Sequence, residues 1–487
     1  MFLPSIIFYM FSWIQKNQLT RGAAILFVTA FASYFLGLVR DRLLAHTFGA
    51  GVELDVYNAA FLVPDLLLNI FVAGALQAAF LPILGQVFVQ RGKETADRLA
   101  STILNTALFT MLILGVVSFM LIPKFSFVLA PGFTAEQKTL LVTLTRLLLL
   151  SPLIFAASNT FGAMLVSRKR YLAYGLSPVL YNFGIILGVA VFARWLGIFG
   201  VVVGTLLGAV LHLTIRLLDV RSLSFQYRKF LHWQDPAFRK IIELMIPKMI
   251  GHPAEQLTFF AFTTVASTLA VGSITMMNFA RNFMSVPVSL FGIAFATATF
   301  PLLAEARASL QREQFWQYVR DGARKILYFT IPSAVVFALF SSVIVRSFLG
   351  SGKFDASAVT GTAMLLSIFA LSVPLESIAH LLARSFYALQ NTWFPVLCSL
   401  IGFGVASGVA AILAKQLGLS SLGWGFFVGS ISKVLLLIFV LRYRFHRAFA
   451  VATAVDKNGV DDTNVHATIN TDRAFSQKRN ALLYIKV

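Results

Sequence analysis

Apolar residues are gathered into runs that recur along almost the whole chain, and polar residues lie mainly between these runs. Each run holds about 20 residues, enough for an α-helix to cross the hydrocarbon core of a bilayer with its backbone groups paired inside the helix. The pattern predicts an all-α polytopic membrane protein of about twelve spans. Their centres lie near Thr29, Ile70, Leu112, Leu153, Ile186, Leu206, Phe259, Leu290, Val335, Ile368, Gly404 and Leu435.

Composition agrees with this class. Of 487 residues, 58% are hydrophobic, 12% are charged and 48 are Phe. A soluble protein of this composition would expose large apolar patches to water. The net charge of +20 is spread over the segments between spans rather than gathered in one basic domain. It therefore indicates membrane orientation and attraction to anionic lipid head groups, and not nucleic-acid binding.

The distribution of Lys and Arg predicts that both termini lie in the cytoplasm. With the N-terminus inside, inner segments such as "SRKRY" (167–171) and "RYRFHR" (442–447) hold most of the basic residues. Residues 1–21 are predicted to form an interfacial lead-in, because "SIIFYMFSW" is too short to span and basic residues follow it where a signal peptide would be cleaved. Residues 448–487 are polar and predicted to be a disordered cytoplasmic tail.

Weak internal repetition divides the spans into two groups of six. "FLPIL" (80–84) precedes "APGF" (130–133) in the first half, and "FPLLA" (300–304) precedes "SGKF" (351–354) in the second. Pro82 and Phe133 are 51 residues apart, and Pro301 and Phe354 are 53 apart. We predict an N-lobe at 22–232 with spans 1–6 and a C-lobe at 233–447 with spans 7–12.

The number of spans in each half decides how the halves are related. An even number returns the chain to its starting side, so the halves are parallel repeats about an axis along the membrane normal. This arrangement is typical of alternating-access transporters, with the substrate site between the halves. A single-chain channel is the alternative, but the sequence contains no filter-like loop or ring of like charges.

The sequence gives no support to enzymatic or metal chemistry. Cys398 is the single cysteine, which excludes disulfides within the chain and any cysteine metal site. The seven His residues show no ligand spacing, and no phosphate loop or nucleophile motif is present. Glu376 and His380 form an i,i+4 pair that we interpret as polar lining. We therefore expect a protein that is not an enzyme and that holds no metal or cofactor.

Ionisable side chains inside spans are costly, about 2.5 to 3.5 kcal/mol at a helix centre, and usually face a cavity. Arg40, Lys248 and Arg281 lie in spans 1, 7 and 8, which the repeat places around a central cleft. A cleft lined by cations suits an anionic substrate, and the planar guanidinium suits phosphate. The alternative is structural pairing of these cations with nearby acids, namely Asp41, Asp55 and Glu255.

Other charges in the spans are less informative. Arg42, Glu243 and Arg384 lie near span ends, and we interpret them as snorkelling residues. Arg146 and Lys433 are open between snorkelling and function.

Glycines and prolines near the charged positions predict hinges. Pro247 and Pro287 lie inside spans 7 and 8, where they favour kinks that a rocking cycle can use. Gly49 and Gly51 allow a tight return after span 1.

Several ordered blocks resemble the signature of the MurJ (MviN) family of lipid II flippases. "FLGLVRDRLLAHTFGAGVELDVYNAAFLVPDLL", which begins at Phe35, resembles the pattern S-R-x-L-G-x-x-R-D…F-G-x-G…D-A-F…P-N-L-L-R. "APGF", "GKF" and "SFYALQNTWFPV" follow in the family's order, so the resemblance covers residues 22–445.

The resemblance implies a fold of the multidrug/oligosaccharidyl-lipid/polysaccharide exporter (MATE-like) type, with two six-helix lobes around a V-shaped cavity. It implies a bacterial cytoplasmic-membrane protein that moves lipid II to the outer leaflet for peptidoglycan synthesis. Lipid II and membrane lipids are then partners, and cell-wall enzymes are further candidates. Coupling to the membrane potential or to a monovalent cation stays open, because Asn391 replaces an acidic residue of the span 11 motif.

The family's functional residues match this chain in part. Ser33, Arg40, Asp41 and Asp55 agree with the pattern, whereas Tyr34 and Leu68 stand where the family has arginines. The family's span 8 arginine falls on Asn282, with Arg281 one position earlier and about 100° round the helix. The expected substrate-binding residues are Arg40, Arg281, Lys248, Ser33 and Asn282, supported by Asp41, Asp55 and Glu255.

Three alternatives to a lipid II flippase remain at this stage. The loss of two family arginines leaves room for an exporter of another polyprenyl-linked glycan or of a small molecule. Many family members have two further spans after span 12, and their lack here leaves room for a transport-inactive cell-wall scaffold. A membrane glycosyltransferase is disfavoured, since no large outer loop with paired carboxylates is present.

Overall fold

A computed structural model describes residues 18–70, 74–229, 231–251 and 254–457. Within these residues all regular structure is helical, and ten helices are long and apolar enough to cross a membrane. They account for all the predicted spans except the second and the seventh. Their segments are Gln18–Phe48 (span 1), Gly74–Leu129 after Gly92 (span 3), Ala135–Leu148 and Leu150–Ser167 (span 4), Leu172–Leu187, Gly188–Phe192 and Ala193–Leu196 (span 5), Ile198–Arg221 (span 6), Ser273–Pro287, Val288–Ile293 and Ala294–Ala308 (span 8), Arg312–Leu349 (span 9), Ala356–Ala388 (span 10), Trp393–Leu417 (span 11) and Ser420–Lys457 (span 12).

Spans 2 and 7 are assembled from shorter helices. Span 2 comprises Val52–Ala60, Leu62–Leu68 and the first part of Gly74–Leu129, which ends where Gly92 adopts a φ of 80°. Span 7 comprises Pro236–Gly251 and Ala254–Ser267. Residues 252 and 253, between these two helices, lie outside the described residues. Interrupted helices of this kind are tolerated in membranes where they line a cavity.

The boundary of the C-terminal tail differs from the prediction. The helix of span 12 continues to Lys457, so residues 448–457 are helical rather than disordered. The remainder of the predicted tail, residues 458–487, lies outside the described residues, as do residues 1–17 of the predicted lead-in.

The internal repeat is visible in how spans 4 and 10 begin. Phe133 and Phe354 are both buried, and each is followed by a helix N-cap, Thr134 and Asp355 respectively. The side-chain oxygen of each cap accepts a hydrogen bond from the backbone N–H three residues later. The two matched sequence blocks therefore mark equivalent helix starts in the two halves.

One apolar core joins the two halves at a single end of the molecule. It combines Leu54, Leu129 and Leu141 from the first half with Phe262 and Phe369 from the second. This end also carries the loops that connect spans 1–2, 3–4, 7–8 and 9–10, and we call it the closed end. Burial of such a continuous apolar surface holds the halves together there.

Away from the closed end, the described cores are separate. One contains Phe80, Leu99 and Leu165 of the first half, and the others lie within the second half, around Phe315 and Phe386. Ile241 and Met245, in the first helix of span 7, belong to the core of the first half that contains Phe80. The first helix of span 7 therefore packs on the N-lobe. The second helix packs on the C-lobe, where Phe259 and Phe262 contact Phe426 of span 12.

Candidate substrate site and closed end

Arg40 of span 1 lies in a polar network on the wall between the halves. Its Nε and one terminal nitrogen donate to Oδ1 of Asp41 at 2.9 and 2.8 Å, and its other terminal nitrogen donates to Oδ1 of Asn182 at 2.9 Å. The Arg40 side chain is 24% exposed, so it is accessible yet held in one orientation. A guanidinium fixed in this way is preorganised to meet an anionic group.

The network extends into both halves of the molecule. Asn182 of span 5 donates to the carbonyl and the hydroxyl oxygen of Ser33, both at 3.2 Å. On the other side, Asn282 of span 8 donates to Oδ2 of Asp41 at 2.9 Å. Four residues expected from the sequence, Ser33, Arg40, Asp41 and Asn282, are thus brought together.

Asn182 was not expected from the sequence. An amide inside the apolar run "SPVLYNFGIIL" (177–187) is the signal that could have identified it, because polar side chains in spans usually face a cavity or a partner. Asn182 is 8% exposed and bonds both Ser33 and Arg40 of span 1. It therefore fixes the Arg40 guanidinium relative to the helix of span 1.

Arg281 occupies a different environment from Arg40. Its guanidinium carbon lies 4.4 Å from the centre of the Phe259 ring in span 7, and it interacts electrostatically with Asp65 of span 2. The adjacent Asn282 faces Asp41 instead. Consecutive residues on a helix point about 100° apart, which explains why the two neighbours face different elements. Arg281 is therefore a second basic position at the boundary of spans 2, 7 and 8.

Three expected residues of span 7 cannot be placed. The structure describes the backbone of Pro247, Lys248 and Glu255 but not their side chains. The predictions that Lys248 binds substrate, that Glu255 supports a cation and that Pro247 is a hinge stay predictions.

Asp55 has a structural partner other than Arg40. One of its carboxylate oxygens accepts from the backbone N–H of Gly272 at 2.7 Å, and the other accepts from the N–H and the hydroxyl of Thr275 at 2.8 and 2.7 Å. The predicted pairing of Asp55 with Arg40 is therefore corrected: the start of span 2 turns this carboxylate towards the start of span 8. Asp55 connects the two halves at the closed end.

The tight return after span 1 also belongs to the closed end. Gly49 has a φ of +65°, and a Cβ at this position would lie 2.4 Å from the carbonyl oxygen of Lys353. Lys353 in turn donates its N–H to the carbonyl of His46 at 2.9 Å. Gly51 is the N-cap of Val52–Ala60, in extended conformation. The glycines thus permit close packing between the 1–2 and 9–10 loops.

Arg42 and Pro287 also differ from their predicted roles or show them in more detail. Arg42, predicted to snorkel, instead donates to the carbonyl of Ser347 in span 9 at 2.9 Å. Its position at the end of span 1, facing the other half, explains this bond. Pro287 ends the first helix of span 8 and is followed by the π-helical segment Val288–Ile293, which loosens the regular helix at the predicted hinge.

The arrangement places a cation and neutral polar groups on one wall between the two halves, near the closed end. Arg40 supplies a cation, Asn182 and Asn282 supply neutral polar groups, and Asp41 is the carboxylate partner of the cation. Within the described residues, no cluster of His, Cys, Asp and Glu is able to hold a metal ion.

Solved structures with the same fold are membrane transporters. A structure of "Lipid II flippase MurJ, inward closed conformation" aligns with a TM-score of 0.74 at 22% identity, covering 90% of this chain and 94% of the other. An inward-facing multidrug resistance MATE family transporter of the MOP superfamily aligns with a TM-score of 0.72 at 16% identity, covering 85% and 94%. The predicted MATE-like fold is confirmed.

Sequence relatives cover most of the chain. A protein of Burkholderia cenocepacia named "Lipid II flippase MurJ" is 25% identical over 86% of this chain and 84% of its own length. A protein of Rhizobium meliloti named "Probable lipid II flippase MurJ" is 26% identical, covering 88% and 81%. A family model described as "Lipid II flippase MurJ" matches residues 44–464. The chain belongs to the MurJ family of lipid II flippases.

Proposed function

We propose that this protein moves lipid II from the inner to the outer leaflet of the bacterial cytoplasmic membrane, by alternating access, for peptidoglycan synthesis. The observation that carries the proposal is the network around Arg40, which joins span 1 to span 5 in one half and to span 8 in the other. Membership of the MurJ family supports the substrate.

The pyrophosphate of lipid II is the group that Arg40 would bind. A phosphate oxygen replaces the Asp41 carboxylate as the acceptor of the guanidinium, since both anions match its planar donors. Asp41 is then released from Arg40, and its bond to Asn282 across the halves is free to change. Substrate binding and the relative position of the halves are thereby linked.

Orientation follows from the charge distribution. Both termini lie in the cytoplasm in this proposal, because the basic loops collect on that side. The closed end then faces outwards, so the head group enters from the cytoplasm and the lipid tail stays in the bilayer. Cell-wall enzymes are candidate partners for the cytoplasmic loops and tail.

Complementation tests the proposal. A bacterial strain depleted of its own lipid II flippase should grow when it expresses this chain, and growth should be lost with Arg40→Ala. Arg146→Ala is the matched control, because Arg146 also lies in a span of the N-lobe but its guanidinium packs on the Phe119 ring and donates to the Phe119 carbonyl. The control should still support growth.

Two outcomes would contradict the proposal. Growth with Arg40→Ala at normal expression would remove the phosphate role of Arg40. Failure of the unaltered chain, despite membrane insertion, would instead favour another polyprenyl-linked substrate or a scaffold.

A further inference from the structure

A second cavity lies in the N-lobe, between the start of span 1, the start of span 5 and the end of span 6. We call it the 1/5/6 cavity. Its volume is about 720 Å³, and it lies at the end of the molecule opposite the closed end. Among the described residues that line it, none belongs to the network around Arg40. The proposed transport function therefore leaves this cavity without a role.

The lining of the 1/5/6 cavity changes from polar to apolar along the direction of the spans. The mouth is formed by polar residues of the loop before span 5 and of the end of span 6, namely Arg168, Lys169, Arg170, Asp219 and Ser222. Apolar residues line the part further into the spans, namely Ile25, Leu172, Leu176, Ile215 and Leu218. Leu172 and Leu218 are 56% and 55% exposed, so this wall is open to the lipid around the protein. A ligand that fits both parts is amphiphilic.

The mouth carries more positive than negative charge, because three cations there face one carboxylate. Arg170 donates to Asp219 through one terminal nitrogen at 2.8 Å, and its side chain is still 45% exposed. Arg168 is held by the ring of Phe88, whose centre lies 3.3 Å from the guanidinium carbon. Lys169 is exposed between them. The charge of the mouth therefore suits an anionic head group.

Backbone hydrogen bonds hold the loop that carries these cations. The N–H of Arg170 donates to the carbonyl of Leu165 at 2.8 Å, and the N–H of Lys169 donates to the carbonyl of Val166 at 3.0 Å. This pattern ends span 4, and Lys169 has the left-handed φ of 58° that is common at such an end. The cations are thus presented by an ordered turn.

Span 1 forms one wall of the 1/5/6 cavity and packs closely on the same loop. A Cβ on Gly22 would lie 2.5 Å from Cε2 of Tyr171, so glycine lets the tyrosine ring rest on span 1. Ile25, one turn further along, lines the cavity. An acyl chain in the cavity would contact spans 1, 5 and 6 together. Spans 1 and 5 are also the two that Asn182 joins at Arg40.

We propose that the 1/5/6 cavity binds one anionic phospholipid of the surrounding leaflet as a fixed ligand of the N-lobe. The phosphate meets Lys169 and Arg170, and an acyl chain lies along Leu172, Leu176 and Leu218. A soluble anion would leave the apolar wall unused, and a zwitterionic lipid would gain less from the mouth. Only the choice of the cytoplasmic leaflet rests on the orientation proposed above, and binding itself does not depend on transport.

Native mass spectrometry of the purified full chain in detergent tests the proposal by measuring bound lipid. Phosphatidylglycerol is the anionic probe, and phosphatidylcholine with the same acyl chains is the zwitterionic one. The unaltered chain should bind phosphatidylglycerol about tenfold more tightly than phosphatidylcholine. Lys169→Asn combined with Arg170→Gln should remove this preference, and asparagine is chosen because it tolerates the left-handed φ of Lys169.

A second variant tests the apolar wall, and a third is the matched control. Leu176→Trp fills the wall without changing any charge and should weaken phosphatidylglycerol binding about fivefold. Arg320→Gln combined with Arg324→Gln removes two exposed cations from the start of span 9, where Arg324 is paired with Asp321 much as Arg170 is paired with Asp219. This control should bind both lipids like the unaltered chain. If thermal unfolding shows that Leu176→Trp does not fold, Leu218→Glu at an exposed position of the same wall replaces it and should also weaken binding.

The outcomes separate the proposal from its alternatives. Equal affinity of the unaltered chain for the two lipids, unchanged binding in the loop variant or in the wall variant, or an equal loss in the control would overturn it. Glycerol 3-phosphate, the head group without acyl chains, should not displace the lipid. Displacement at equal concentration would identify a site for soluble anions and also overturn the proposal. If lipid binding fails while the chain complements a flippase-depleted strain, the lipid site fails and the flippase function stands.

Discussion

At the residue scale, the central feature is a cation held by one acid and one amide, with a second amide bonded to the acid. Arg40 is bonded to Asp41 and Asn182, and Asp41 to Asn282. The resemblance implies more arginines here than this chain provides, so each polar neighbour of Arg40 has a larger share in positioning it. Hydrogen bonds to charged groups are also stronger than those between neutral groups.

Asn182→Ala should therefore weaken both stability and function. It removes the acceptor of one Arg40 bond and leaves a donor of the partly buried guanidinium unpaired, a loss of about 1 kcal/mol in the free energy of unfolding. Thermal unfolding in detergent measures the first effect and complementation the second. Asn278→Ala is the matched control, because the amide of Asn278 donates to the carbonyl of Ile274 within its own helix. Equal stability of the two variants would refute the anchoring role.

At the scale of elements, the two halves begin spans 4 and 10 with different caps in equivalent places. Thr134 forms a capping box with Gln137, in which each side chain bonds the other's backbone. Asp355 accepts from the N–H of Ala358 and the hydroxyl of Ser357, at 2.8 and 2.9 Å. The backbone N–H of Ala358, followed by the Ser357 hydroxyl, lowers the pKa of Asp355 in the loop at the closed end.

This difference predicts a difference in pH dependence. A carboxyl group with a lowered pKa in the folded state stabilises the protein above its ordinary pKa, about 3.9, and loses that contribution as the pH falls through the folded-state value. The excess stability of the unaltered chain over Asp355→Ala should thus shrink as the pH falls from neutral to about 3. Thermal unfolding at several pH values measures it. For Thr134→Ala the stability difference should be independent of pH, and a parallel decline in both variants would contradict the assignment.

At the scale of the whole molecule, the closed end holds the two halves together by close backbone approaches. Gly272 has a φ of +90°, and a Cβ there would lie 2.4 Å from the carbonyl oxygen of Ala50. Asp55 accepts the N–H of the same residue. Gly132 similarly approaches the backbone at Ser267. These contacts must break when the closed end opens.

Gly272→Ala should accordingly favour opening of the closed end. The collision of the alanine Cβ with the Ala50 carbonyl oxygen exists only while the closed end is packed, and a cost of about 1.4 kcal/mol in that form alone changes the ratio of closed to open molecules by about tenfold. Spin labels on Glu136→Cys and Thr360→Cys, exposed positions of the two halves at the closed end, report it as longer distances in a chain that also carries Cys398→Ala. Gly408→Ala in span 11, where a Cβ meets no atom within 4 Å, should leave the distances unchanged. Unchanged distances in Gly272→Ala would show that this contact does not govern closure.

The sequence by itself determined the class of fold and the helical content, because lipid admits few backbone arrangements and long apolar runs identify them directly. It also indicated the repeat, through Phe133 and Phe354, and the polar set Ser33, Arg40, Asp41 and Asn282, through the family resemblance. These features depend on local composition and order along the chain. Span 2 was predicted as a span but not as an interrupted helix, since hydropathy does not register a local backbone break such as the one at Phe61.

Only the tertiary structure decided which polar groups meet. Asp55 and Arg42, adjacent to the Arg40 motif in sequence, bond to Gly272 and Ser347 instead. Asn182, Glu376 and Lys433 became interpretable once their partners on distant spans were known, and Lys433 of span 12 donates to Glu376 of span 10 rather than snorkelling. Hydrogen bonds and ion pairs act over about 3 Å, whereas the residues joined lie far apart along the chain, so their pairing is set by helix rotation and packing and not by the order of residues.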